Sequence, residues 1–127
     1  MSVCEDKKQA GNIGILAGAM TESDLQQNVV DLAHACGWLV HHTRPAMKRD
    51  GTWRTPVQGD KGFPDLVLAR RGKIIFLELK SQRGQPTNEQ LEWLNRLAPH
   101  TGLDLPVVGL VVRPSDWLNG TIEEALS

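Results

Sequence analysis

With 127 residues, 40% apolar and 23% charged residues and a formal charge of -1, the chain fits one compact globular domain and is too short for two ordinary ones. Disordered and fibrous classes are excluded by the same composition. No apolar run approaches the about 20 residues that cross a bilayer, so no membrane span is expected. Residues 1–20 read as a flexible tail and 21–127 as the domain. Within the tail, Ile13 to Met20 has the look of a secretory-signal core, but Glu5 and Asp6 offset Lys7 and Lys8, and three glycines and an asparagine interrupt the region from Gly11 on. Met20 stands as a candidate natural start. Cys4 and Cys36 form neither a CxxC pair nor a disulfide framework, and Cys36 with His41 and His42 is a weak zinc signal. A reducing, cytoplasmic location is the expectation.

Leu25, Val29, Leu32, Ala33 and Cys36 recur at helical spacing, predicting a first helix capped by Thr21 or Ser23 and closed at Gly37. Trp38 to His42 reads as a strand. Thr43 to Gly62 has no apolar period, and a long irregular segment of this kind commonly carries function. Asp65 to Ala69 and Lys73 to Lys80 read as an antiparallel hairpin turning at Arg70, Arg71 and Gly72. Pro86 to Ala98 is expected to form a second amphipathic helix, with Thr87 and Gln90 as a capping box and Leu91, Leu94, Leu97 and Ala98 inward. Val107 to Val112 reads as a strand buried on both faces, reached by a parallel crossover. Ser115 is expected to cap a last short helix. The result is an α/β fold, a mixed central sheet flanked by helices.

The near-zero net charge hides an asymmetry. Residues 41–83 hold ten basic against four acidic residues, a net of +6, so the remainder carries -7. A basic middle suits contact with phosphate. Within it, Glu78 and Lys80 share one face of a strand, and a hairpin at Arg71 and Gly72 returns Glu78 toward Asp65. An isolated Glu-x-Lys is usually an exposed ion pair. On an interior strand bearing Ile74, Ile75, Phe76 and Leu77, a carboxylate is costly unless it holds a metal or a partner. Two carboxylates and an ammonium at one sheet edge suit phosphodiester hydrolysis. Asp65 and Glu78, with the backbone carbonyl of Leu79, would hold Mg²⁺, and Lys80 would orient the attacking water.

The run Gly62-Phe-Pro-Asp65 followed by Phe76-Leu-Glu-Leu-Lys80 resembles the PD-(D/E)xK signature in the form used by the virus-type replication-repair nuclease family, VRR-NUC. The resemblance extends from about Thr21 to Leu126 and includes His41-His42-Thr43-Arg44-Pro45 and Arg113-Pro-Ser-Asp-Trp117, as in small phage and prophage members. It implies a restriction-endonuclease-like core and Mg²⁺ or Mn²⁺ dependence. It also implies an active-site role for Gln90, which helical spacing places on one face with Leu94 and Leu97. Where the family carries a first-helix acid, this chain has Gln26, with Glu22 one turn earlier as a candidate substitute in the metal site. Two firm carboxylates favour one metal ion over two.

Across the adjoining loop, His41, His42, Arg44, Lys48, Arg49, Arg54 and Lys61 are candidate DNA contacts that position the backbone rather than read bases. Trp53 is a candidate for stacking on an exposed base. The expected function is structure-selective cleavage of branched DNA, as by a Holliday-junction resolvase acting as a homodimer, since two strands need two cuts. A restriction- or repair-type endonuclease on linear duplex and a catalytically silent DNA-binding accessory are the alternatives.

Overall fold

A computed structural model of the chain describes residues 17–42, 46–47, 49–51, 53–54 and 58–127, with the backbone alone for Ala46, Met47, Trp53 and Arg54. Helix α1, Glu22–Ala35, opens with a reciprocal cap. Thr21 Oγ1 accepts from the Asp24 N–H at 3.0 Å, and the Asp24 carboxylate accepts from the Thr21 N–H at 3.1 Å. Its periodic residues Leu25, Val29, Leu32 and Ala33 are all buried. The helix stops at Cys36, where Gly37 takes φ +86°, a left-handed conformation that glycine enters without a Cβ penalty.

Strand β1, Leu39–His42, follows. The segment read as irregular contains a small antiparallel ribbon, β2 (Ala46–Met47) with β3 (Trp53–Arg54), turning through Arg49, Asp50 and Gly51. Strands β4 (Leu66–Arg70) and β5 (Lys73–Leu79) form the expected hairpin. Its two turn residues, Arg71 at φ +48° and Gly72 at φ +80°, both have the positive φ of a type I′ turn, whose twist matches that of paired strands. Helix α2, Asn88–Leu97, leads to β6, Val107–Val112, which pairs parallel with β5. The four-stranded sheet has the order β1-β4-β5-β6, antiparallel except for the last pair. Two short helices, α3 (Pro114–Leu118) and α4 (Thr121–Leu126), close the chain.

One sheet face, carrying Leu66, Leu68, Ile75, Leu77, Leu79, Val108 and Val112, shares a single core with α1, Trp38, Trp117, Ile122 and Leu126. Met20 joins this core at 8% exposure, although the sequence reading leaves it in the tail. Against the other face lies α2. A Cβ on Gly109 of β6 would come within 3.0 Å of Ala98 and 3.3 Å of Leu94, so glycine there lets the helix settle closely on the sheet.

Several expectations need correction. β6 is an edge strand and mostly half-buried, because apolar runs do not distinguish an edge from an interior position. Leu91 is 40% exposed while Leu94 is buried, so the inner stripe of α2 runs through Gln90 and Leu94 instead. Arg113, not Ser115, is the cap of α3. The Asp116 carboxylate accepts from its N–H at 2.7 Å, and the Ser115 N–H donates to Gln82. Cys36 is disulfide-bonded rather than an unpaired thiol, a pairing for which two cysteines without a spacing motif give no signal. Cys4 lies outside the described residues. Among the described residues, no helix is long and apolar enough to cross a membrane.

Candidate active site

The hairpin register decides where the charged residues meet. Leu66 pairs with Leu77, so Asp65, one residue before β4, comes opposite Glu78. The Asp65 carboxylate accepts from the Leu79 N–H at 2.8 Å, which fixes it at the end of β5. Lys80 follows directly, its N–H donating to Val112 of β6 at 3.0 Å, and its ammonium stands 3.9 Å from Glu78 Oε1.

Glu78 is the one buried charged side chain among the described residues, at 1% exposure. Gln90 Nε2 donates to its Oε1 at 2.8 Å, while its Oε2 is buried with no hydrogen-bond partner. Burial, the adjacent Asp65 charge and the hydrogen bond to Asp65 that only a protonated Glu78 can donate push the Glu78 carboxyl up to about 8. Lys80 pulls it down, and Glu22 raises it further. Glu22, at the first residue of α1, is itself raised above its ordinary value by burial and by Asp65, with Lys80 opposing. Three carboxylates and one ammonium thus share one field. With all of them ionised, two negative charges stay uncompensated. Gln26, one turn further along α1, is half-buried and brings no charge.

Gln90 does two things at once. Thr87 Oγ1 accepts from its backbone N–H at 3.2 Å, and its side-chain Oε1 accepts from the Thr87 N–H at 2.8 Å. With Oε1 held by a donor, the amide presents Nε2 to Glu78, and the reversed amide would set donor against donor and oxygen against oxygen. The capping box therefore orients the group that grips Glu78.

The proposed DNA-contact residues are only partly gathered. His41 and His42 close β1 at the same sheet end, with His42 paired to Leu66, next to Asp65. His41 and Arg49 are exposed. Lys61 is exposed too, with its ammonium 3.5 Å from Glu89. Arg54 lies on β3, and Arg44 and Lys48 fall outside the described residues. Two cations of the basic middle are engaged elsewhere. Arg70 stacks 4.3 Å over the Trp38 ring and donates to the carbonyls of Cys36, Leu126 and Ser127, and Lys73 donates to that of Leu103.

Sequence reasoning missed the support beneath this site. Gly62 takes φ +100°, and a Cβ on it would lie 2.7 Å from the Glu89 carbonyl carbon and 2.9 Å from the Gln90 nitrogen. Only glycine lets this loop rest on the first turn of α2. Trp93 Nε1 donates to the carbonyls of Lys61 and Asp60, at 3.0 and 3.3 Å. The available signal was the glycine before Phe63, since glycine marks close backbone approach.

Among the described residues no three His, Cys, Asp or Glu side chains are grouped tightly enough to hold a metal ion. The donor set nonetheless suits Mg²⁺, which takes one or two carboxylates and keeps several waters. Glu78 Oε2, buried and without a donor, is the atom such an ion would satisfy. Leu79, whose carbonyl is the third candidate ligand, sits between Glu78 and Lys80. No protein-family model, curated protein or solved structure matches this chain.

Proposed function

We propose that this protein is a divalent-metal-dependent deoxyribonuclease with a restriction-endonuclease-like core of the VRR-NUC kind. The observation that carries the reading is Glu78: a carboxylate buried beside a second carboxylate, with one oxygen held by Gln90 and the other without a partner. Such a pair needs a proton or a cation between its members. A buried ion pair of Glu78 with Lys80 alone accounts for neither Asp65 nor the unpartnered oxygen.

In this reading Asp65 and Glu78, with the Leu79 carbonyl, hold one Mg²⁺ or Mn²⁺, and Glu22 completes the negative field. The ion supplies Lewis-acid polarisation of the scissile phosphate. Lys80, at the mouth of the site with its side chain 17% exposed, orients the attacking water and faces the charge that builds on the phosphoryl oxygens. Gln90 keeps Glu78 from turning away. His41, His42, Arg49, Arg54 and Lys61, together with Arg44 and Lys48, bind the DNA backbone. The resemblance adds branched DNA as substrate, a two-fold homodimer and a cytoplasmic, phage-type setting to this proposal.

The test is cleavage of labelled linear, flap and four-way DNA with Mg²⁺ or EDTA. Cleavage is expected with Mg²⁺ alone, favouring branched substrates. Glu78→Gln and Lys80→Ala are expected to bind DNA and cut it slower by a factor on the order of 100 or more. DNA binding with no cleavage by the wild type under any divalent ion would favour the silent DNA-binding accessory. Equal cutting of linear and branched DNA would favour the restriction- or repair-type reading.

A further inference from the structure

We infer that Trp93 and Gly62 are positioning residues for the metal ligands, acting through a wedge of aromatic rings between β5 and α2. The inference rests on the reading of Asp65 and Glu78 as ligands.

The gap between β5 and α2 is where Glu78 meets Gln90, and three rings bridge the same two elements beside that contact, Phe63 between the other two and itself 43% exposed. Phe63 packs edge-on against Phe76, with centroids 6.0 Å apart, and edge-on against Trp93, at 5.1 Å. Phe76 precedes Glu78 by two residues on the same strand face, and Trp93 follows Gln90 by three residues, close to one helical turn. The Phe63 ring therefore sets the spacing that the Gln90 amide bridges. The segment that carries Phe63 is fixed twice to α2. Trp93 Nε1 donates to the carbonyls of Asp60 and Lys61, and the backbone of Gly62 lies against the Glu89–Gln90 peptide. Asp65 stands two residues beyond Phe63. One short segment thus links the position of Asp65 to that of the group gripping Glu78. Two ligands that must share one ion tolerate little relative displacement, and groups that orient ligands accordingly affect metal affinity.

Trp93→Phe would keep a ring against Phe63 and remove the N–H that ties the loop. The measurement is Mn²⁺ affinity by electron paramagnetic resonance, with melting curves on the same samples, for wild type, Trp93→Phe, Gly62→Ala and Leu91→Ala. Leu91 is exposed on the same stretch of helix and serves as the control. Trp93→Phe is expected to raise the Mn²⁺ dissociation constant about tenfold while staying folded at the assay temperature, as loss of a ligand-orienting contact does. Gly62→Ala should weaken binding at least as much, and Leu91→Ala should bind like the wild type. Unchanged Mn²⁺ affinity in a folded Trp93→Phe overturns the inference while leaving the ligand assignment intact. Absence of saturable Mn²⁺ binding by the wild type overturns the ligand assignment, and the inference with it.

Discussion

Gln90 Nε2 donates to Glu78 Oε1 at 2.8 Å across the gap between β5 and α2, leaving Glu78 Oε2 as a buried oxygen without a donor. One half of the carboxylate is thereby fixed in space and the other half is available to a cation.

The first consequence is a pH-dependent stability. The Glu78 carboxyl, ordinarily at 4.5, is pushed up to about 8 in the folded protein, chiefly by burial and then by Asp65. Between those two values the folded chain retains a proton that the unfolded chain has released, so stability falls as pH rises through this window and levels off above it. At about 1.4 kcal/mol per pKa unit, the swing amounts to several kcal/mol at most. In EDTA the melting temperature should therefore drop between pH 5 and pH 8.5, and Glu78→Gln should remove most of the slope. Mg²⁺ should stabilise most at the high end, where no proton occupies the pair. An equal slope in wild type and Glu78→Gln would place the titration elsewhere.

Thr87 offers a way to separate capping from orientation. Thr87→Ala loses the hydroxyl that accepts from the Gln90 N–H and should cost about 1 kcal/mol of stability. It keeps the backbone N–H that holds Gln90 Oε1, so cleavage should stay near the wild-type rate. Thr87→Pro lacks both groups, and the native φ of -74° suits proline. Relative to Thr87→Ala, it should cut DNA roughly tenfold slower, the scale of loss when one charge-assisted contact worth about 1.4 kcal/mol is misdirected. Equal rates for the two variants, measured at saturating Mg²⁺, would show that the amide needs no such support.

Arg70 belongs to the basic middle by sequence, while in the structure it is half-buried against Trp38 and the C-terminal helix. Its guanidinium lies over Trp38, whose own Nε1 donates to the Leu126 carbonyl at 2.9 Å, and both side chains tie α4 to the sheet. Arg70→Ala should lower unfolding stability by about 2 kcal/mol, from the lost carbonyl hydrogen bonds and ring contact. Its DNA affinity and the salt dependence of binding should match the wild type. A reduced salt slope would return Arg70 to the phosphate-binding set.

These cases show which physical signals a sequence carries. The spacing of Leu25, Val29, Leu32 and Ala33 reported α1 because burial of one helical face leaves a 3.6-residue period. The meeting of Asp65 with Glu78 was legible because strand alternation and a two-residue turn fix the hairpin register. The same reasoning placed Gln90 inward, since its cap and its position in the helical turn are both local properties. Relations between distant segments were not legible. Leu91 reads as core by its chemistry and is 40% exposed, because which face of α2 meets the sheet depends on segments far from it in sequence. Nothing near Arg70 in sequence announces that its partners lie on Trp38 and at residues 126 and 127. The edge position of β6 depends on the whole strand order, which an apolar run of six residues does not encode.

The most direct measurement is anomalous diffraction from crystals equilibrated with Mn²⁺ near pH 8. One Mn²⁺ is expected per chain, held directly by the Asp65 carboxylate and by Glu78 Oε2, as a hard cation takes oxygen ligands. The Gln90 amide should still hold Glu78 Oε1. A Glu78 carboxyl that instead donates a proton to Asp65, with manganese bound elsewhere or not at all, would contradict the account.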